Sequence, residues 1–383
     1  MRPLNKASVL LSTVALVLAG PVHADNPAPV IAPKLQPLVD HHALSGAVTV
    51  VADKDKILSL ETVGFADIAA QKPLSADALF WIASMSKPIT AAAFMLLVDE
   101  GKVSVDDPVE KYLPEFKNQM VITERDDNHV LLKKPAHPIL IRNVLSHTSG
   151  LSFSSPIEQP TLDLYPLATR VRSYALMPLN FEPDSKYDYS NAGINTAGRI
   201  IEVLSGMNYE EFLKKRLFEP LGMTDTTSFP NESQIARIAK SYKANKDQSD
   251  LEETTVGQLK YPLSDPSRQP MPAGGFFSTA KDVTTFCQML LNGGVHQGKR
   301  ILSEASVKQM TSRQTAPGLA GYGFGFSANG TTFGHGGAYS TDMSVNTATG
   351  LITVFMVQNA GWREEGKQAQ PIFMKAAQEA FGK

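Results

Sequence analysis

Apolar and polar positions divide the chain into a strand-rich start, a helix-rich middle and a strand-rich end. Ser45 to Ala52 (SGAVTVVA) is dense in Val and Ala and predicts a strand. Asp53-Lys54-Asp55 predicts a turn, and Ile57 to Phe65 predicts the partner strand. The apolar run Leu79 to Ala83 leads through Ser84 into Ala91 to Leu97, whose length and Ala/Leu content predict a buried helix. Pro88 fits only a first turn, where backbone N–H groups have no helical partner, so the helix starts near Ser84 to Ser86. Gly101 predicts its stop.

Beyond this helix, apolar residues recur at helical spacing over Ala197 to Leu204, Tyr209 to Leu217 and Lys281 to Leu291. Val121 to Leu132 predicts a hairpin around Asp126-Asp127-Asn128. Lys243 to Pro270 is polar and irregular and reads as a surface loop. Near the end, Thr331-Thr332-Phe333 predicts a short strand. Asp342 to Asn346 and Leu351 to Gln358 flank Thr347-Ala348-Thr349-Gly350 as a hairpin. A last helix is expected from about Pro371 to Phe381. Strands at both termini with helices between them imply an α/β (α+β) architecture. One antiparallel sheet is built from both chain ends and flanked by helices, with a mostly helical lobe inserted.

Composition narrows the class. The chain has 383 residues, 43% hydrophobic and 19% charged, as in a folded globular protein. Its net charge of −2 supplies no basic field for nucleic acid. Residues 1–24 read as a signal peptide: Arg2 and Lys6, an apolar run from Val9 to Gly20, and Val22-His23-Ala24 as a small-residue cleavage site. Asp25 would begin the mature chain, with no stable membrane anchor after cleavage. Asn26 to Pro33 reads as a Pro-rich linker, and residues 25–383 as one catalytic domain. Cys287 is the single cysteine, so no internal disulfide forms, and its apolar helical setting makes it a buried structural thiol.

The chemistry starts at Ser84-Met85-Ser86-Lys87. A serine hydroxyl needs a base to act as nucleophile near neutral pH, and a lysine in apolar surroundings can lose its proton and be that base. On a helix the two side chains share one face. The pattern also occurs at Ser278-Thr279-Ala280-Lys281, where the serine reads as a helix N-cap and the lysine as solvated. The apolar approach to Ser84 singles out the first pair. Two further stretches follow in order: Tyr187-Asp188-Tyr189-Ser190-Asn191, and Gly334-His335-Gly336-Gly337-Ala338-Tyr339 before the last strands.

In this order the three stretches resemble those of serine β-lactamase-related hydrolases of the class C type. That group includes class C β-lactamases, DD-peptidases, D-aminopeptidases and family VIII carboxylesterases. The likeness runs from about Ser45 to Asn359, and Leu145-Ser146-His147-Thr148-Ser149-Gly150-Leu151 and Gly274 to Ala280 add to it. It implies a β-lactamase/penicillin-binding-protein-like fold. Ser84 would form an acyl-enzyme, Lys87 would take or relay its proton, and Tyr189 would shuttle a proton to the leaving group. Asn191 would orient Lys87 or a substrate amide. His335, Gly336, Gly337 and Ala338 would line the substrate, with the N–H groups of Ser84 and Ala338 as an oxyanion hole.

The third stretch departs from the Lys-Thr-Gly usual in β-lactamases, because His335 is mostly neutral near pH 7 and glycine offers no hydroxyl. Anionic β-lactams lose their usual partners there. The expectation is an exported serine hydrolase, periplasmic or extracellular, acting as a carboxylesterase on small uncharged acyl esters. Amide hydrolysis, as in a class C-type β-lactamase, DD-peptidase or D-aminopeptidase, stands as the alternative, and a penicillin-binding sensor without turnover as a third. The partner is a small-molecule ester or amide. The absence of a His-Glu-x-x-His pattern and of a phosphate loop implies no cofactor and no metal. His147 is assigned a structural role and His41-His42 a solvated pair. Trp81 is expected in the core, and Trp362 at the pocket or capping the sheet. Val121 to Leu132 and Lys243 to Pro270 are expected at the cleft border.

Overall fold

A computed structural model describes residues 28–382; the expected signal segment lies outside the described residues. Both ends of the chain contribute to a seven-stranded antiparallel sheet. Its strands are Gly46–Ala52 (β1), Ile57–Asp67 (β2), Lys72–Pro73 (β3), Ser327–Asn329 (β4), Thr332–Gly336 (β5), Asp342–Asn346 (β6) and Leu351–Met356 (β7). The order across the sheet is β4-β5-β6-β7-β1-β2-β3. β1 lies centrally, pairing Val50 with Val354 of β7 on one side and with Leu60 of β2 on the other. Every β1 residue is buried, as a strand covered on both faces requires.

Alternation along β1 sends Ala47 and Val51 to one layer and Val48 and Val50 to the other. The outer layer holds helices Ala32–Asp40 (α1) and Ala369–Phe381 (α5), where Leu35, Leu38, Phe355 and Phe373 pack together. The inner layer holds Ser86–Asp99 (α2), Asn191–Ser205 (α3) and Ala280–Leu291 (α4). α2 is buried on all sides from Ser86 to Leu97, which explains an apolar sequence with no polar stripe. The inner core runs without a break from the sheet through α2 to Tyr209 and Phe212, so the helical lobe and the sheet share one core.

Several expectations shift. The Pro-rich linker ends earlier than read: α1 begins at Ala32 with Pro33 in its first turn. The Glu61 carboxylate of β2 accepts from the N–H groups of Val30, Ile31 and Ala32, a cap no local pattern announces. The Lys243 to Pro270 segment is not a loose loop. Ser241–Ala244 pairs with Leu251–Thr254, and Val256 and Leu259 pack against Trp81, Phe277 and Tyr339. Arg268 and Asp163 close it with a buried ion pair at 2.8 Å. The hairpin expected at Val121 to Leu132 forms from Val121–Arg125 and Val130–Lys133, anchored by the Ile122 N–H donating to the Leu179 carbonyl.

Trp81 is core, its indole N–H donating to the Gly274 carbonyl at 2.7 Å. Trp362 packs in the outer layer and caps the sheet away from Ser84. His41 and His42 are exposed but face Glu365 and Asp250. Cys287 is buried with its thiol 3.7 Å from the Met343 sulfur.

At the second Ser-x-x-Lys the cap of α4 is Thr279, not Ser278: Thr279 Oγ1 accepts from the Asp282 N–H at 3.2 Å. Ser278 is buried against Thr226, and Lys281 is solvent-exposed as expected. Thr279→Ala should lower the unfolding free energy by about 1 kcal/mol, read as a shift of the urea midpoint at constant slope. An unchanged midpoint would contradict the assigned cap.

Candidate active site

Ser84 sits in a 3-10 turn, Ala83–Met85, that feeds directly into α2. The turn is entered through Ala83 at φ 45°, a left-handed conformation uncommon for a residue with a Cβ. From Ala78 to Leu97 every side chain is buried except Ser84, which keeps partial exposure. The backbone therefore presents one hydroxyl at the mouth of an otherwise sealed helix.

One turn on, Lys87 is fully buried. Its Nζ lies 3.1 Å from Ser84 Oγ and donates to the Ala273 carbonyl at 2.7 Å. Burial holds the amine well below its ordinary value of 10.5, and no carboxylate contributes to offset that. The Ala273 carbonyl is itself held. The Ala273 N–H donates to Asn195 Oδ1, Asn195 Nδ2 donates to the Tyr174 hydroxyl, and Tyr174 donates to Glu158 at 2.6 Å. A chain of buried polar groups thus fixes the one acceptor that aims Lys87.

Tyr189 closes the other side. Lys87 Nζ lies 4.6 Å from the centre of its ring. Burial raises the phenol, and the neighbouring Ser84 hydroxyl only partly offsets this, so Tyr189 is protonated in the resting site and available as a donor. The backbone around it is tied down: Ser190 caps α3 by accepting from the Gly193 N–H, and the Asn191 N–H donates to the Phe153 carbonyl. Asn191 is buried, and its Oδ1 has no hydrogen-bond partner among the described residues. The expected contact from Asn191 to Lys87 is not formed; the Ala273 carbonyl takes that place.

The third stretch lies partly in the sheet, since β5 runs through His335 to Gly336. A Cβ on Gly337 would lie 2.6 Å from the Ile82 carbonyl and 2.1 Å from Thr341 Oγ1, so only glycine lets this segment reach the Ser84 turn. Ala338 follows in an exposed turn closed by the Ser340 N–H donating to the Gly337 carbonyl at 2.9 Å. His335 points inward, its Nε2 3.0 Å from the Tyr322 hydroxyl and its Nδ1 2.7 Å from the Gly336 carbonyl. Burial holds it well below its ordinary value of 6.5.

Ser84, Lys87, Tyr189 and His335 are therefore brought into one cluster, with Gly336 to Ala338 on its rim. This arrangement can attack a carbonyl, hold a proton on an amine and return one from a phenol. Over residues 31–376 the sequence matches the beta-lactamase family. The chain belongs to that family. Penicillin-binding protein 4 of Amycolatopsis lactamdurans is 31% identical over 300 residues, which cover 78% of this chain and 72% of that protein. Esterase EstB of Burkholderia gladioli is 27% identical over 358 residues, covering 83% of this chain and 86% of the esterase. The solved structure of EstCE1, a hydrolase with promiscuous acyltransferase activity, matches the fold with a TM-score of 0.74 at 23% identity, covering 91% of this chain and 97% of its own. As a family member the chain is a serine hydrolase of β-lactamase/penicillin-binding-protein-like fold.

Two contributors carry no chemical motif in the sequence. Ala273 acts through its backbone and has no side-chain signal. Tyr322 lies in Gly321-Tyr322-Gly323-Phe324-Gly325, where the alternation of glycine and aromatic is the available cue. His147, expected to be structural, lies with its ring 4.5 Å from that of Tyr189. Gly337→Ala should lower kcat/KM for any substrate by about 100-fold or more, because the added methyl pushes the rim of the site off the Ser84 turn. Retained activity in a folded variant would contradict that close approach.

Proposed function

We propose that this chain is an exported hydrolase working through an acyl-enzyme on Ser84, with small uncharged acyl esters as its preferred substrates. The observation that carries the reading is the half-open Ser84 hydroxyl 3.1 Å from a buried, uncompensated Lys87 amine. A neutral Lys87 takes the Ser84 proton as Oγ attacks the carbonyl carbon. Tyr189, held as a phenol, gives its proton to the departing alkoxide, and the protonated Lys87 amine beside its ring returns the proton from Ser84 to the phenolate. Water entering the leaving-group site reverses these transfers and releases the acid. The Ser84 and Ala338 N–H groups are the oxyanion donors in this reading.

Two features support esters over anionic amides. The third stretch offers no cation, since His335 is neutral across the physiological range. Phe153, 51% exposed, lies 6.3 Å from the Tyr189 ring and provides an apolar wall. One observation favours the amide reading: the unpartnered Asn191 Oδ1 is an acceptor suited to a substrate N–H. Export rests on the Arg2 and Lys6 start and the Val9 to Gly20 run. N-terminal sequencing of protein recovered from the periplasm or medium should begin at Asp25; retention of Met1 would contradict cleavage.

Short p-nitrophenyl esters, a chromogenic cephalosporin and D-amino acid amides should be run side by side. Ester kcat/KM is expected to exceed amide kcat/KM by about 100-fold, the size of discrimination an apolar pocket wall can supply. Ser84→Ala should abolish turnover, a loss of about 1000-fold or more. Amide turnover above ester turnover would overturn the ester preference, and full activity in Ser84→Ala would remove Ser84 from the reaction.

A further inference from the structure

We propose that His147 is the positioning residue for Tyr189, and that a one-directional hydrogen-bond chain runs from it through Tyr322 to His335, clamping the two walls of the cleft. The proposal rests on the assignment of Ser84 and Tyr189 as the reacting groups.

The chain's direction follows from its two ends, which are backbone groups with only one possible role. The Ser190 N–H can only donate, and it lies 3.1 Å from His147 Nδ1. His147 Nδ1 is therefore bare, and in the neutral ring the proton sits on Nε2. That Nε2 is 3.2 Å from the Tyr322 hydroxyl, which must accept. At the far end the Gly336 carbonyl can only accept, so His335 carries its proton on Nδ1, 2.7 Å away. His335 Nε2 is then a lone pair, 3.0 Å from Tyr322, whose hydroxyl donates to it. Each proton has one place: Ser190 N–H to His147, His147 to Tyr322, Tyr322 to His335, His335 to Gly336.

Three consequences follow. First, His147 grips Tyr189 from both sides, because its carbonyl also accepts from the Asp188 N–H at 2.9 Å. Second, the clamp joins the N-terminus of α3 in the helical lobe to β5 of the sheet, which are the opposite walls of the cleft. Third, His335 has no free ring nitrogen, so it is not an acid, base or oxyanion donor in the resting site. It is a strut for the strand that delivers Gly337 and Ala338.

Protonation of either imidazole breaks a link. A proton on His147 Nδ1 opposes the Ser190 N–H, and a proton on His335 Nε2 opposes the Tyr322 O–H. The surroundings favour the neutral forms. Lys87, Tyr187, Tyr189, Tyr322 and His335 surround His147, and Lys87, Tyr189 and Tyr322 surround His335; among the described residues no carboxylate contributes to either ring's shift. Burial lowers both rings from the ordinary 6.5. His147 holds φ 60°, a left-handed conformation that asparagine tolerates well, so His147→Asn keeps both the backbone and an acceptor for Ser190.

The wild-type protein, labelled with 15N-histidine, provides the direct test. Two rings should appear as opposite neutral tautomers, His147 protonated on Nε2 and His335 on Nδ1, with shifts constant from about pH 5 to 8 around the ordinary imidazole range. Assignment by His147→Asn and His335→Asn fixes which is which. Tyr322→Phe should lower kcat for p-nitrophenyl esters by about 10- to 100-fold with KM changed less than about threefold, as expected when a reacting group is displaced but the substrate still binds. It should also add an acidic limb to kcat/KM between about pH 5 and 7, where a released imidazole titrates. His147→Asn should retain at least about tenfold more activity than His147→Ala, since only Asn keeps an acceptor for the Ser190 N–H. Either ring in the opposite tautomer, or either titrating near 6.5 in the wild type, would overturn the proposal even if the variants fail to fold. The tautomers are read without turnover, so this outcome is separable from a failure of the Ser84 assignment.

Discussion

An amine buried without a counter-charge is the constraint around which the rest of this structure is arranged. Taking an ammonium out of water costs several kcal/mol even after relaxation, and the group escapes that cost by giving up its proton. Among the described residues no carboxylate pairs with Lys87; its amine meets the Ala273 carbonyl and the Ser84 hydroxyl. The result is an amine driven toward its neutral form one helical turn from a hydroxyl, produced by the same packing that makes α2 the centre of the inner core. The Ser84–Lys87 pair and the hydrophobic core are thus one feature, not a site added to a scaffold.

That packing explains why the surrounding elements come so close. Gly325 fits where a Cβ would lie 2.9 Å from the Lys87 carbonyl and from Ala91 Cβ. Gly337 does the same against the Ile82 carbonyl. Glycine at these two positions lets β4 and β5 approach the first turn of α2, and the sheet and the helical lobe then meet over Ser84. Polar chains hold each wall: Glu158, Tyr174 and Asn195 behind Lys87, and His147, Tyr322 and His335 across the front. Buried networks of this kind are stabilising only when every member is satisfied, which is why single truncations within them are expected to act beyond their own bond.

What was legible in the sequence was what a short stretch of chain decides. Ser84 and Lys87 share a face because three residues is nearly one helical turn, and Pro88 dates the start of the helix. Strands at both ends gave the sheet because β1 and β7 are apolar enough to be covered twice. What escaped was set by distant partners. The glycines around His335 give no strand signal, yet Gly334, His335 and Gly336 pair with Ser344, Met343 and Asp342 in the sheet. Tyr322 meets His147 across 175 positions, and no local pattern marks such a pair. Lys243 to Pro270 has a loop's composition, but Val256, Leu259 and the Arg268–Asp163 pair anchor it beside Trp81 and Tyr339. The helix α1 was hidden by prolines and is capped from another strand.

The central claim is that Lys87 is a neutral amine in the resting protein. Titration of protein labelled with 13C at the lysine ε-carbon, with Lys87→Arg to assign the signal, measures this directly. The account predicts one lysine that loses its proton well below the rest, which titrate around their ordinary value of about 10.4. A Lys87 signal that titrates together with the exposed lysines would contradict the account.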